Sequence, residues 1–324
     1  MVTMRSPIFP LLLLLVSVHA TASSCGCCET SNGVLTTCAD CPASTTGLHL
    51  GFCGLTSLQP GAFSSPALAR VTAVDLSNNA LHLLPAGVFR GLISLDLLDL
   101  SSNYISDVAA GALSSDNMPL LQTLDLGYNA LVEVPHTLNL PNLTSLSLYW
   151  NPISNFTDTS FLGVPRIHTL AADNCGLTSV SAGAFAPLSS LTTLNLGNNA
   201  LTKLPESGWR GPSKLTTLAL QLNSIPALPP HFFDAFPLLE SLPLYQNQLT
   251  ELAAGTFAQL SNLAGLYLND NSISVLHEGC FAGLQGRFQY LALSNNKLEP
   301  QACNANFAAI ASIPIACFSN STVR

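Results

Sequence analysis

Leucine and other aliphatic residues recur in the order LxxLxLxxNxL along almost the whole chain. The order is plainest in LDLLDLSSNYI from Leu95, LQTLDLGYNAL from Leu121, LTSLSLYWNPI from Leu143, LTTLNLGNNAL from Leu191 and LAGLYLNDNSI from Leu263. The asparagine falls at Asn79, Asn103, Asn129, Asn151, Asn199, Asn223, Asn247, Asn271 and Asn296, while Cys53 opens the series and Cys175 stands between Asn151 and Asn199. Successive steps are 26, 24, 26, 22, 24, 24, 24, 24, 24 and 25 residues, which makes eleven repeats. A second column follows ten residues after the ladder position, at Phe63, Phe89, Leu113, Phe161, Phe185, Trp209, Phe233, Phe257 and Phe281, and breaks only in the shortened repeat around Leu138.

Alternation within LxxLxL predicts a short strand whose leucines point to one side and whose intervening residues point to the other. One repeat cannot close a core. Stacking copies sets each strand about 4.8 Å from its predecessor, giving one parallel sheet in which the Leu and Phe columns merge. The asparagine turns inward at the bend after the strand, where its amide satisfies backbone groups that would otherwise be orphaned. Cysteine fits the same place as a small residue with a weak S–H donor. Pro and Gly after the ladder, as in LLPAGVF and ELAAGTF, predict irregular or short helical returns. Slim strands inside and bulkier returns outside must curve the array.

These residues resemble the leucine-rich-repeat family in its 24-residue form, LxxLxLxxNxLxxLPxxxFxxLxx, found in Toll-like receptors, Slit proteins, small proteoglycans and variable lymphocyte receptors. The resemblance covers roughly Leu48 to Phe307. It implies an α/β solenoid: a curved right-handed horseshoe with a parallel β-sheet on the concave face and irregular or short helical returns on the convex face. It also implies a protein or peptide partner bound on that concave face.

Charge and hydropathy narrow the function. The 324 residues are 48% hydrophobic and only 9% charged, with a net charge of -8 and ten Lys and Arg in all, so no cationic stripe is present to neutralise phosphates and nucleic-acid binding is excluded. Arg5, the apolar run Ile8 to Val18 and the small-x-small triplet Ala20-Thr21-Ala22 read as a signal peptide over 1–22. The apolar run is too short to span a bilayer, and no transmembrane segment is expected in the mature chain. Residues 23–47 read as a cysteine-rich N-terminal cap, 48–300 as the repeats and 301–324 as a C-terminal cap, with a helix suggested for Phe307 to Phe318. A secreted or cell-surface location makes Cys25, Cys27, Cys28, Cys38, Cys41, Cys53, Cys280 and Cys303 disulfide candidates. Cys280 and Cys303 lie at nearly the same phase of adjacent repeats, so a bridge between them is plausible. Cys38 and Cys41 have a zinc-like spacing, but export favours disulfides and no metal is expected. Sequons stand at Asn142, Asn155 and Asn320.

Residues between the strand leucines should face solvent. Asp75, Asp99 and Asp125 form an acidic column on three consecutive strands, with Tyr128, Tyr149 and Trp150 beside it and His168 on the following strand; Tyr245, Tyr267 and Tyr290 form a second group. Contiguous exposed aromatics are typical of interface hot spots, and a basic partner or a cation would offset the carboxylates. The acidic column reads equally as a solvated face tolerating mild repulsion. No GxSxG elbow, HExxH helix or phosphate loop occurs, so neither an enzyme nor a cofactor is expected. A matrix or adhesive protein, an ectodomain-like fragment of a receptor and an inhibitor of a secreted hydrolase remain open alternatives.

Overall fold

The computed structural model describes residues 26–284 and 287–299, together with the backbone of Ile315–Ala316. The proposed leader, Cys25, Cys303, Asn320 and most of the C-terminal cap lie outside the described residues. The fold is a solenoid of about eleven turns around a twelve-stranded parallel sheet whose strands follow one another in chain order from Gly47–His49 to Ile315–Ala316. Register is kept leucine to leucine: Leu98 pairs with Leu124, Leu124 with Leu146, and Leu146 with Leu170. These leucines are fully buried, and behind them the phenylalanine column forms a second layer, with Phe161 stacked on Phe185 at 5.8 Å and Phe185 edge-on to Trp209 at 5.3 Å.

The ladder asparagines stitch repeat to repeat. Asn223 donates Nδ2 to the carbonyls of Leu196 (2.9 Å) and Leu220 (3.1 Å), and its Oδ1 accepts from the Leu201 N–H at 3.0 Å. Asn79, Asn151 and Asn271 repeat the scheme. Cys175 keeps part of it, donating Sγ to the Leu148 carbonyl at 3.2 Å. Immediately before each ladder residue the backbone is left-handed: Phe52, Asn78, Ser102, Tyr128, Trp150, Asn174, Asn198, Leu222, Gln246, Asp270 and Asn295 have φ between 50° and 58°. That recurrent bend turns the chain out of the sheet.

The returns are leaner than expected. Among the described residues the helical elements are two 3-10 turns, Pro66–Arg70 and Phe232–Ala235. Short outer strands, not anticipated from the sequence, pair instead: Leu83–Leu84 with Asp107–Val108, Asn155–Phe156 with Ser179–Val180, and Glu251–Leu252 with Val275–Leu276. The 22-residue repeat between Asn129 and Asn151 has no such strand, nor do the repeats that follow Asn199 and Asn223, so the outer pairing is interrupted in both places. In the suggested C-terminal helix, Ile315–Ala316 is a strand that adds to the inner sheet beside Leu291 and Ala292.

At the N-terminal end an antiparallel pair, Glu29–Ser31 with Val34–Thr37, covers the first turn. Cys27 is bonded to Cys41 and Cys28 to Cys38, and Cys53 is also disulfide-bonded. The sulfurs of Cys27, Cys28 and Cys41 lie within 4.8 Å of one another, but all three are in these bridges, which leaves no thiolate for zinc. Cys280, by contrast, is a free thiol: it is fully buried beside Phe281, and burial pushes its pKa up to about 11. Its side chain belongs to the core rather than to a bridge.

Candidate functional site

Asp75, Asp99 and Asp125 are direct register neighbours on the inner sheet. Each Oδ1 accepts the backbone N–H two residues on, from Ser77 (2.9 Å), Ser101 (2.9 Å) and Gly127 (2.8 Å). The expected solvated acidic face is corrected here, because Asp99 is only 5% and Asp125 only 7% exposed. For Asp125 the cause is crowding from the next repeat, where the Tyr149 ring lies against Gly127 so closely that a Cβ there would sit 2.5 Å from it. Burial pushes the Asp99 carboxyl up from its ordinary value and the Asp125 carboxyl up to about 7; for Asp125 the Gly127 N–H opposes the rise, Asp99 adds to it, and the Tyr149 hydroxyl opposes it. The Tyr149 phenol is raised too, first by burial and then by Asp125 and Asp99.

Tyr128 and Trp150 are not strand residues. They occupy the left-handed position in successive repeats, at the border where chain leaves sheet. Their rings stack at 5.5 Å with an interplanar angle of 8°, and Tyr149 meets Tyr128 edge-on at 5.4 Å. Tyr128 remains 48% and Trp150 50% exposed. A left-handed backbone suits Asn or Asp and costs a bulky residue roughly 1 kcal/mol. Five repeats place Asn or Asp there, whereas this adjacent pair carries aromatics.

Other expected site residues separate. His168 is exposed, but it precedes the Thr169–Ala171 strand and so sits at the opposite end of that strand from the aromatic border. Tyr267 and Tyr290 touch at 5.1 Å, although Tyr290 pairs with Gly265 and thus stands two register places from Tyr267. Tyr245 is half-buried just past the Ser241–Pro243 strand, and burial raises its phenol pKa.

Asp173, not among the residues expected from the sequence, lies in the row of Tyr149 and Gly197. Its carboxylate accepts from Asn174 Nδ2 at 2.6 Å and Asn195 Nδ2 at 2.7 Å, and burial raises its pKa. The repeat register alone could have placed it. Counted from three residues before to three after the Asp75 position in every repeat, the strand face carries Asp75, Asp96, Asp99, Asp125, Asp173, Glu240 and Asp270 and no Lys or Arg, with Arg287 just outside that span pairing with Glu240 at 3.8 Å. On the outer side the short repeat leaves a cleft of roughly 60 Å³ lined by Glu133, Val134, His136, Asn155, Thr157, Thr159 and Ser160.

The leucine-rich-repeat family model matches seven overlapping segments that together run over residues 44–153 and 165–298. Mouse Tsukushi is 32% identical over 157 residues, covering 46% of this chain and 43% of that protein. Zebrafish Keratocan is 34% identical over 106 residues, covering 33% of this chain and 30% of that protein. The chain therefore spans less than half the length of each. Among solved structures, the complex of Latrophilin 3, Unc5D and the leucine-rich repeats of FLRT2 matches with a TM-score of 0.60 at 24% identity, covering 77% of this chain and 85% of that one. The Drosophila Toll–Spatzle complex matches with a TM-score of 0.61 at 21% identity, covering 76% of this chain and 37% of that one. No helix among the described residues is long and apolar enough to cross a membrane.

Proposed function

The chain belongs to the leucine-rich-repeat family and is an extracellular member of it, and from that footing we propose a non-enzymatic recognition protein that binds a basic protein partner along its concave strand face, anchored by Tyr128, Tyr149 and Trp150. The observation that carries this reading is the exposed aromatic stack bordering a face with seven carboxyl groups, two of them buried, against which Arg287 beside Glu240 sets a cation. Stacking fixes the rings before a partner arrives, so little rotamer freedom is lost on binding. Aromatic anchors of this kind typically cost about 2 kcal/mol or more each when truncated to alanine. An acidic face speeds encounter with a basic partner and makes it salt-sensitive. Tyr267 and Tyr290 supply a second contact further along the sheet. In this assignment residues 23–47 and 301–324 cap the array, and 48–300 present the surface.

The test is a quantitative capture of extracellular proteins on the wild-type chain and on the Tyr149→Ala/Trp150→Ala variant at two salt concentrations. Partners enriched on wild type should be basic, weaken with salt, and fall at least tenfold on the variant while its melting temperature stays within a few degrees. Equal recovery on both baits defeats the reading.

A further inference from the structure

We propose that Asn155 carries an N-linked glycan and that Asn142, the other described sequon, does not, because its amide serves as a fixed stitch between repeats. The two sequons are alike as triplets, Asn142-Leu143-Thr144 and Asn155-Phe156-Thr157. Their surroundings differ. Asn142 Nδ2 donates to the Pro119 carbonyl at 2.9 Å, and its Oδ1 accepts from the Arg166 guanidinium at 2.8 Å, so one amide holds the repeats on either side. Thr144 donates Oγ1 across repeats to the Gln122 carbonyl at 3.1 Å, whereas the Thr157 hydroxyl bonds only within its own turn, to Thr159 and Ser160. The same stitch recurs where no sequon exists: Asn262, at the equivalent place five repeats on, donates to the Pro237 carbonyl at 3.0 Å. An asparagine at this position is therefore explained by the repeat itself.

Asn155 has no such duty. It lies on the outer strand Asn155–Phe156 with its side chain exposed, and Nδ2 reaches only the neighbouring Ser154 hydroxyl, at 3.2 Å. Residues in its row, Ser179 among them, are exposed too. The strand pairs on one side with Ser179–Val180, while its other edge faces the short repeat, which supplies no strand. A glycan there would stand over an open sheet edge, the feature through which strands self-associate, and away from the strand face assigned to the partner.

In the transfer, Asn155 Nδ2 loses one proton and bonds to the anomeric carbon of an oligosaccharide carried on a lipid pyrophosphate. The glycosyl–phosphate bond breaks, and the lipid pyrophosphate leaves with the electron pair. Transfer precedes folding, so the stitch acts by selection: the chains that reach the folded, secreted form are those left unmodified at Asn142. A sugar at Asn142 would have to emerge between the Pro119 carbonyl and Arg166.

The full chain should be expressed in a glycosylating secretory host and its intact mass read before and after amidase removal of N-glycans, for wild type, Asn155→Gln, Thr157→Ala and Asn142→Gln. Both Asn155→Gln and Thr157→Ala should lose the mass of one glycan. Asn142→Gln should lose none and melt lower. Loss of a glycan on Asn142→Gln, or no loss on Asn155→Gln and Thr157→Ala, overturns the proposal. Thr157→Ala leaves Asn155 intact and guards against a folding defect in Asn155→Gln.

Discussion

The early and middle parts of the inner sheet use one backbone for opposite purposes. Asp125 and Asn195 occupy the same row and make the same bond, each Oδ1 accepting the N–H two residues on, at 2.8 Å from Gly127 and 3.0 Å from Gly197. The amide does this without charge. In the middle region its Nδ2 is also satisfied by Asp173, and the rest of the row there is Ala171, Ala219 and Pro243. Early in the array three carboxylates stand side by side, two of them buried. Since an amide closes the turn equally well, turn geometry does not account for the charge, and the early face bears on three adjacent strands an electrostatic cost that the middle face confines to Asp173.

Exchanging the two residues gives the largest effect. Asp125→Asn should stabilise the fold at pH 8 by on the order of 3 kcal/mol, because a carboxyl pushed up to about 7 from an unfolded value of about 3.9 is penalised for ionising. A carboxyl raised on folding contributes stability that is fully present below its unfolded pKa and is lost as pH rises through its folded one. Wild type should therefore lose stability relative to Asp125→Asn between about pH 4 and pH 7, with Asp75, Asp99 and Tyr149 as the titratable neighbours. Asn195→Asp should do the reverse, costing about 2 kcal/mol as Asp173 loses its donor and meets a second carboxylate. Chemical denaturation at pH 5 and pH 8 reads both, and an Asp125→Asn variant no more stable at pH 8 than wild type would remove the contrast. If the acid serves a basic partner, the stabilised variant should also bind that partner less well, as expected where function is kept at the expense of stability.

The turns themselves were legible because they rest on spacing. A strict period of leucine, asparagine and phenylalanine admits one way of stacking, and Leu98, Asn223 and Phe161 all sit where the period puts them. Burial across repeats was not legible. Alternation assigns Asp99 and Asp125 a side of the strand, whereas exposure on the concave side depends on what the next repeat lays across it, for Asp125 the Tyr149 ring over Gly127. Tyr128 and Trp150 flank the acidic column and are contiguous, as their spacing implies, but the left-handed backbone that holds them is a three-dimensional consequence of the bend after each strand. Its trace in sequence was the recurrence of Asn or Asp one residue before the ladder. The outer strands escaped notice for a similar reason, since two-residue pairings carry no periodicity of their own.

A finer contrast lies in the two glycines of the next row. Neither Gly127 nor Gly197 has a left-handed backbone, so alanine tests space alone. At Gly127 the new Cβ would press on the Tyr149 ring at 2.5 Å, a rigid group pinned between Tyr128 and the carboxylates, and overpacking there should cost about 1 kcal/mol. At Gly197 the obstacle is the tip of the Gln221 side chain, which can rotate away, so the cost should stay within about 0.5 kcal/mol. Thermal melts measure the difference, and alkaline spectrophotometric titration locates its cause. With its ring displaced from Asp125 in Gly127→Ala, the Tyr149 phenol should ionise at lower pH than in wild type, while Gly197→Ala leaves the tyrosine titration unchanged. Equal melts and equal titrations would mean that the aromatic border is as pliable as the middle of the sheet, and too soft to serve as a preformed anchor.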